Sequence, residues 1–92
     1  MIQVRAGVLA ADLGEEIVLL HPDDGAYFSL NETGTQLWRL LCAGPVAENT
    51  LIGAVADQLA AGWMVERRTA ESDARALLAE LAECGLVTGA EP

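Results

Sequence analysis

The groups best suited to chemistry in this chain are a single histidine, two cysteines and two pairs of adjacent acids. His21, Cys42 and Cys84 would have to supply any nucleophile–base pair or zinc site, while Glu15-Glu16 and Asp23-Asp24 are carboxylate pairs of the kind used for proton transfer or for a hard cation. Their spacing supports none of this. The cysteines form no C-x-x-C, and His21 stands beside Pro22 in an expected turn, so zinc lacks a ligand set. The acids lie in turns and lack the longer patterned loop that calcium requires, which leaves them as solvated surface. No Ser or Cys sits in a nucleophile context and there is no lysine at all. The expectation is no catalytic residue, no metal and no cofactor, with both thiols reduced, Cys84 on a helix face and Cys42 at a helix end.

Composition narrows the remaining classes. The content is 52% hydrophobic with only 4% aromatic residues, which describes one aliphatic core, and no apolar run approaches the ~20 residues of a membrane span. Arg5 is followed by no apolar stretch with a small-residue cleavage site, so the expected location is the cytoplasm, away from membranes. A net charge of −9 argues against nucleic acid, whose phosphates need Lys or Arg. It would steer a basic partner toward the protein, or simply keep a hydrophobic domain soluble.

The elements that must position any site are organised around Gly25–Leu41. Ala26, Phe28 and Leu30 alternate with Tyr27 and Ser29; the period then changes to helical at Leu37, Trp38, Leu40 and Leu41, with Asn31 placed to cap the helix. Upstream, Met1 to Val8 reads as a first strand, Ala10 to Gly14 as a connection, and Glu15 to His21 as a middle strand apolar on both faces. Pro22-Asp23-Asp24-Gly25 suits a four-residue hairpin loop closing on a His21–Ala26 pair, so that Leu19 faces Phe28 and Ile17 faces Leu30 on the core side, with Val18, Leu20, Tyr27 and Ser29 on the other.

Downstream, helix one spans Glu32 to Cys42 and stops at Ala43-Gly44-Pro45. Helix two, capped by Asn49 or Thr50, carries Leu51, Ile52, Val55, Ala56 and Leu59 and ends at Gly62. Trp63, Met64 and Val65 cross back toward the sheet, and Glu66-Arg67-Arg68 reads as a charged loop. Helix three follows a Thr69 cap with Ala70, Ala74, Leu77, Leu78 and Leu81, and ends at Gly85 with Leu86 covering its last turn. Trp38 and Trp63 read as core packing rather than ligand stacking. The result is an α+β, winged-helix-like fold of order βββααα, a three-stranded antiparallel sheet followed by three helices.

A winged helix invites a DNA-binding reading, but helix three carries Glu71, Asp73, Glu80 and Glu83 against one Arg75 and would repel phosphate. The third strand, last in a meander, offers a free edge without the Lys or Pro that commonly blunts one. Peptide recognition by strand addition is therefore the favoured reading, with helix three as the opposite wall. An acidic adaptor or a dimerisation module, with a second copy of the chain as partner, is the alternative.

The run His21-Pro-Asp-Asp-Gly-Ala-Tyr-Phe-Ser-Leu-Asn-Glu-Thr-Gly, then Leu37-Trp38 and Gly85-Leu86-Val87, resembles the PqqD family, the leader-recognition modules of ribosomal peptide biosynthesis, and is most similar to its stand-alone members in lasso-peptide maturation. The resemblance implies a non-catalytic recognition domain over residues 1–88, with 89–92 a frayed tail. It implies that a precursor's leader peptide adds as a strand between Ala26, Tyr27, Phe28, Ser29 and Leu30 on one side and Asp73, Ala74, Ala76, Leu77, Glu80 and Leu81 on the other. The peptide would then pass to a leader protease or an ATP-dependent cyclase, or, in the alternative within the family, to a radical-SAM enzyme. Many relatives place a β-branched residue where this chain has Ala74, so its pocket is expected to be roomier.

Overall fold

The computed structural model describes residues 1–14, 16–62 and 66–89. The elements are β1 (Gln3–Val4), β2 (Leu9–Asp12), β3 (Ile17–Leu20), β4 (Tyr27–Leu30), α1 (Glu32–Leu41), α2 (Glu48–Gly62), α3 (Arg67–Glu83) and β5 (Val87–Thr88). Strands β2, β3 and β4 form an antiparallel meander with β3 in the centre, and β1 pairs with β5 in a separate two-stranded ribbon. The expected α+β order of a three-stranded sheet followed by three helices is present.

The β3–β4 hairpin has the expected register. Ile17 pairs with Leu30, Val18 with Ser29, Leu19 with Phe28 and Leu20 with Tyr27. The His21 N–H donates to the Ala26 carbonyl at 2.9 Å, closing the Pro22–Gly25 loop. Because side chains alternate across a strand, Ile17, Leu19 and Leu30 turn inward and are at most 3% exposed, while Tyr27 stands 76% exposed on the opposite face.

The first strand is a correction. Met1 to Val8 does not run into the meander: only Gln3–Val4 is strand, paired with Thr88 and Val87, and Ile2 bridges to Val46. The chain turns at Gly7, whose positive φ of 91° and the Val8 N–H to Arg5 carbonyl bond reverse its direction. The segment expected as a connection is strand β2 instead, with Leu9 opposite Leu20 and Asp12 opposite Ile17. A tight turn follows, in which the Leu13 N–H donates to the Glu16 carbonyl at 2.9 Å and the Gly14 N–H to Asp12 Oδ1 at 2.9 Å. Arg39 of α1 braces this turn through Asp12 Oδ1, at 3.1 Å, and the Gly14 carbonyl, at 3.0 Å. The Asp12 carboxyl is accordingly held below its ordinary value, first by the Gly14 N–H and then by Arg39.

Helix α1 starts where Asn31 Oδ1 accepts the Gly34 N–H at 2.9 Å, a cap generally worth about 0.5–2 kcal/mol. Helix α2 begins at Glu48, so Asn49 and Thr50 lie within its first turn and do not cap it. Helix α3 likewise begins before the expected Thr69 cap. Glu66 holds the cap position without a side-chain bond, and Arg67 and Arg68 are helical, Arg67 ion-pairing with Asp57 on α2 and with Glu71 one turn on. Helices α2 and α3 pack together, and Leu51, Ile52, Val55, Ala56 and Leu59 of the one and Ala70, Ala74, Leu78 and Leu81 of the other are buried in a single core. Trp38 is 2% exposed and is a core residue, as expected.

Helix α3 closes in a Schellman turn: Gly85 takes φ 76°, its N–H donates to the Ala82 carbonyl, and the Leu86 N–H donates to the Leu81 carbonyl at 3.0 Å. Leu86 is fully buried over that last turn. Thr88, expected near a frayed end, pairs in β5. The readings for Trp63, Met64 and Val65, for Glu15 at the start of the middle strand, and for the tail beyond Gly89 lie outside the described residues. Among the described residues no helix is long and apolar enough to cross a membrane.

Candidate functional site

Strand β4 is an outer strand of the meander, so one of its edges has no partner in the sheet. Hydrogen-bonded and non-hydrogen-bonded pairs alternate along an antiparallel ladder. The His21–Ala26 bond therefore assigns Phe28 and Leu30 to the bonds with Leu19 and Ile17, and turns the main-chain groups of Tyr27 and Ser29 outward. The exposed edge thus offers an alternating set of N–H and C=O groups to an extended segment.

A groove of about 290 Å³ runs beside this edge, lined by Tyr27, Phe28, Ser29 and Leu30 of β4 and by Leu77, Glu80 and Leu81 of α3 with Cys84 at its C-cap. Leu77, Glu80, Leu81 and Cys84 recur at i, i+3, i+4 and i+7, one face of a helix. Phe28, Leu77 and Cys84 are half-buried, and Leu30 and Leu81 close the floor at 3% exposure each. Glu80 is the one charged lining residue, and among the described residues no cation pairs with it. A wider, shallower depression bounded by Leu13, Glu16, Leu30, Asn31, Glu32 and Thr33 meets the groove at Leu30.

Of the residues expected at the site, the structure gathers Tyr27, Phe28, Ser29, Leu30, Leu77, Glu80 and Leu81 around one groove. Ala26 stands at its end in the hairpin loop, its N–H donating to Asp24 Oδ1 at 2.9 Å. Asp73 and Ala76, both exposed, and Ala74, fully buried, are not among the residues that line this groove. Cys84 does line it and was not among the expected residues, although its spacing from Leu77 marked it.

His21, 8% exposed, is engaged structurally: its Nδ1 accepts the Asp23 N–H at 3.1 Å, and its Nε2 lies 3.4 Å from Nη1 of Arg5. Arg5 itself ion-pairs with Asp23 at 2.7 Å and reaches the Gly85 carbonyl, tying the hairpin loop to the end of α3. Cys42 is exposed and both thiols are free. Among the described residues no group of three or more His, Cys, Asp or Glu is placed to hold a metal ion.

An α+β domain with one uncovered strand facing a helix across an apolar groove is an architecture suited to receiving an extended segment. Over residues 16–87 the sequence matches the PqqD family, described as coenzyme PQQ synthesis protein D, and the chain belongs to that family. Two solved structures share its fold. TbiB1 in complex with the TbiA(beta) leader peptide is 32% identical, with 98% of this chain and 99% of that one covered at a TM-score of 0.81. A lasso peptide synthetase B1 complexed with the leader peptide is 30% identical, with 96% and 98% covered at 0.78. No curated protein gives a significant match.

Proposed function

We propose that this protein is a non-catalytic leader-peptide-binding protein that captures a ribosomally made precursor by strand addition at β4 and presents it to a lasso-peptide protease or cyclase. The observation that carries this reading is that two structures alike over nearly their whole length both hold a leader peptide. The open β4 edge and the groove against α3 give such a peptide its main-chain partners and its side-chain pockets. The domain is taken to extend over residues 1–88 and to act in the cytoplasm. A second reading within the family is delivery to a radical-SAM enzyme; the first is favoured because one of the two similar structures is a lasso peptide synthetase B1 complexed with the leader peptide.

Two or three apolar anchors at roughly 1.5–3 kcal/mol each, added to the edge bonds, must outweigh the cost of ordering the peptide, which places affinity in the nanomolar to micromolar range, about 8–12 kcal/mol. Calorimetric titration with the leader of the precursor encoded beside this protein is expected to show that binding, while the full precursor incubated with the protein alone stays intact by mass spectrometry. Absence of binding would reject the recognition role, and cleavage by the purified chain would reject the non-catalytic one.

A further inference from the structure

Gly34 does not line the groove, yet it lies behind both walls. A β-carbon at Gly34 would stand 2.8 Å from Leu77 Cδ2, 3.0 Å from Leu30 Cβ and 3.1 Å from Leu30 Cδ2. Carbon atoms at optimal separation are about 3.5–4.0 Å apart, so a methyl group does not fit without displacement. Leu30 Cβ is fixed to the β4 backbone and cannot yield unless the strand moves. The far end of Leu77 is the atom free to move, and Leu77 borders the groove. The missing side chain therefore lets Leu30 and Leu77 withdraw toward α1 and leaves room in front of them.

We propose that Gly34 is a positioning residue that sets the size of apolar side chain the groove admits. Resting on the peptide-binding reading above, this assigns the space over Leu30 and Leu77 to a large aliphatic or aromatic anchor of the peptide. Gly34 also donates its N–H to the Asn31 cap, a bond that alanine keeps. Alanine is the better helix former inside α1, so the helix itself does not suffer from the exchange.

The test uses the full chain and the leader of the precursor encoded beside it, together with the same leader in which each apolar residue is changed in turn to alanine. Gly34→Ala is expected to remain folded by circular dichroism and to bind the native leader on the order of tenfold more weakly, the range that overpacking costs imply. Its loss should disappear for the one leader whose anchor over Leu77 has been truncated, a coupling that general destabilisation would not produce. Adding Leu77→Ala removes the closest of the three clashing atoms, so the double variant should bind within about threefold of Leu77→Ala alone, a coupling term that offsets the loss seen in Gly34→Ala. Equal binding by wild type and Gly34→Ala overturns the role of Gly34 alone, as does a loss spread evenly over all leaders. A wild-type chain that binds no leader overturns the peptide reading and this inference with it. If Gly34→Ala fails to fold, the double variant decides: it must fold and match Leu77→Ala, and weaker binding sinks the proposal.

Discussion

His21 and Ala26 share one main-chain hydrogen bond, 2.9 Å from N–H to carbonyl, and its position fixes which β4 residues face the free edge. Counting two residues at a time from that pair, Phe28 bonds inward to Leu19 and Ser29 bonds to nothing in the sheet. Proline removes an N–H and is tolerated at the edge of a sheet but not within its ladder. Ser29→Pro should therefore leave the circular dichroism spectrum intact and weaken leader binding by about tenfold or more, because an edge bond and its alignment are lost. Phe28→Pro should lose a ladder bond and a core aromatic and unfold the hairpin. Normal binding by a folded Ser29→Pro protein would show that the peptide does not use this edge.

Glu80 places a carboxylate at the groove with no ion-pair partner among the described residues, and a basic residue in the leader is its natural complement. Solvent-exposed pairs contribute less than ~1 kcal/mol, so Glu80→Gln should raise Kd by no more than about fivefold and should flatten its dependence on salt. Asp73→Asn, one turn beyond the groove, should do less. Leader affinity that is the same in low and high salt would assign the acidic face of α3 to solubility alone.

Gly85 holds the left-handed residue of the Schellman turn, and a β-carbon there would stand 3.2 Å from His21 Nε2 and 3.3 Å from Arg5 Nη1. Gly85→Ala should lower unfolding free energy by about 1–2 kcal/mol from the backbone conformation alone, with some further cost where Arg5 must give way. Denaturant titration measures it, and an unchanged midpoint would mean that the turn relaxes without penalty.

Asp12 gives the protein a small acid dependence of defined sign. Its carboxyl titrates below the ordinary value of 3.8 in the folded chain, held there by the Gly14 N–H and by Arg39. The stability it supplies is fully present above that value and is lost as pH falls through the lowered, folded one. Asp12→Asn should therefore melt below the wild type at neutral pH, with the gap closing in strong acid. A gap that persists in acid would show that the effect comes from the turn's geometry and not from the charge.

The hairpin and the strand-to-helix passage were legible because each switch is written locally: an apolar run from Ile17 to Leu20, alternation from Ala26 to Leu30, turn residues between, and a capping Asn31 ahead of a helical stripe. Strand β2 was not legible, since Leu9 to Asp12 are exposed throughout and an edge strand without a buried face has no alternation to read. The β1–β5 ribbon joins two-residue segments from opposite ends of the chain, a pairing no local window contains. The early start of α3 brings Arg67 to Asp57 of α2, a contact between residues that no reading of α3 alone would pair. At the site, the α3 residues were implied by the family resemblance, and of these Leu77, Glu80 and Leu81 line the groove. Ala74, named with them, packs into the core and is fully buried, while Cys84, further along the face of Leu77, lines the groove.

Between the end of β4 at Leu30 and the start of α1 at Glu32 there is a single residue, Asn31, already committed to its cap. Such a joint has no slack: strand and helix form a stiff bracket, and the edge stands ready before anything arrives. In associating with it, the loss of conformational freedom falls on the incoming chain rather than on the protein, so a leader already inclined to be extended gains affinity without any new contact.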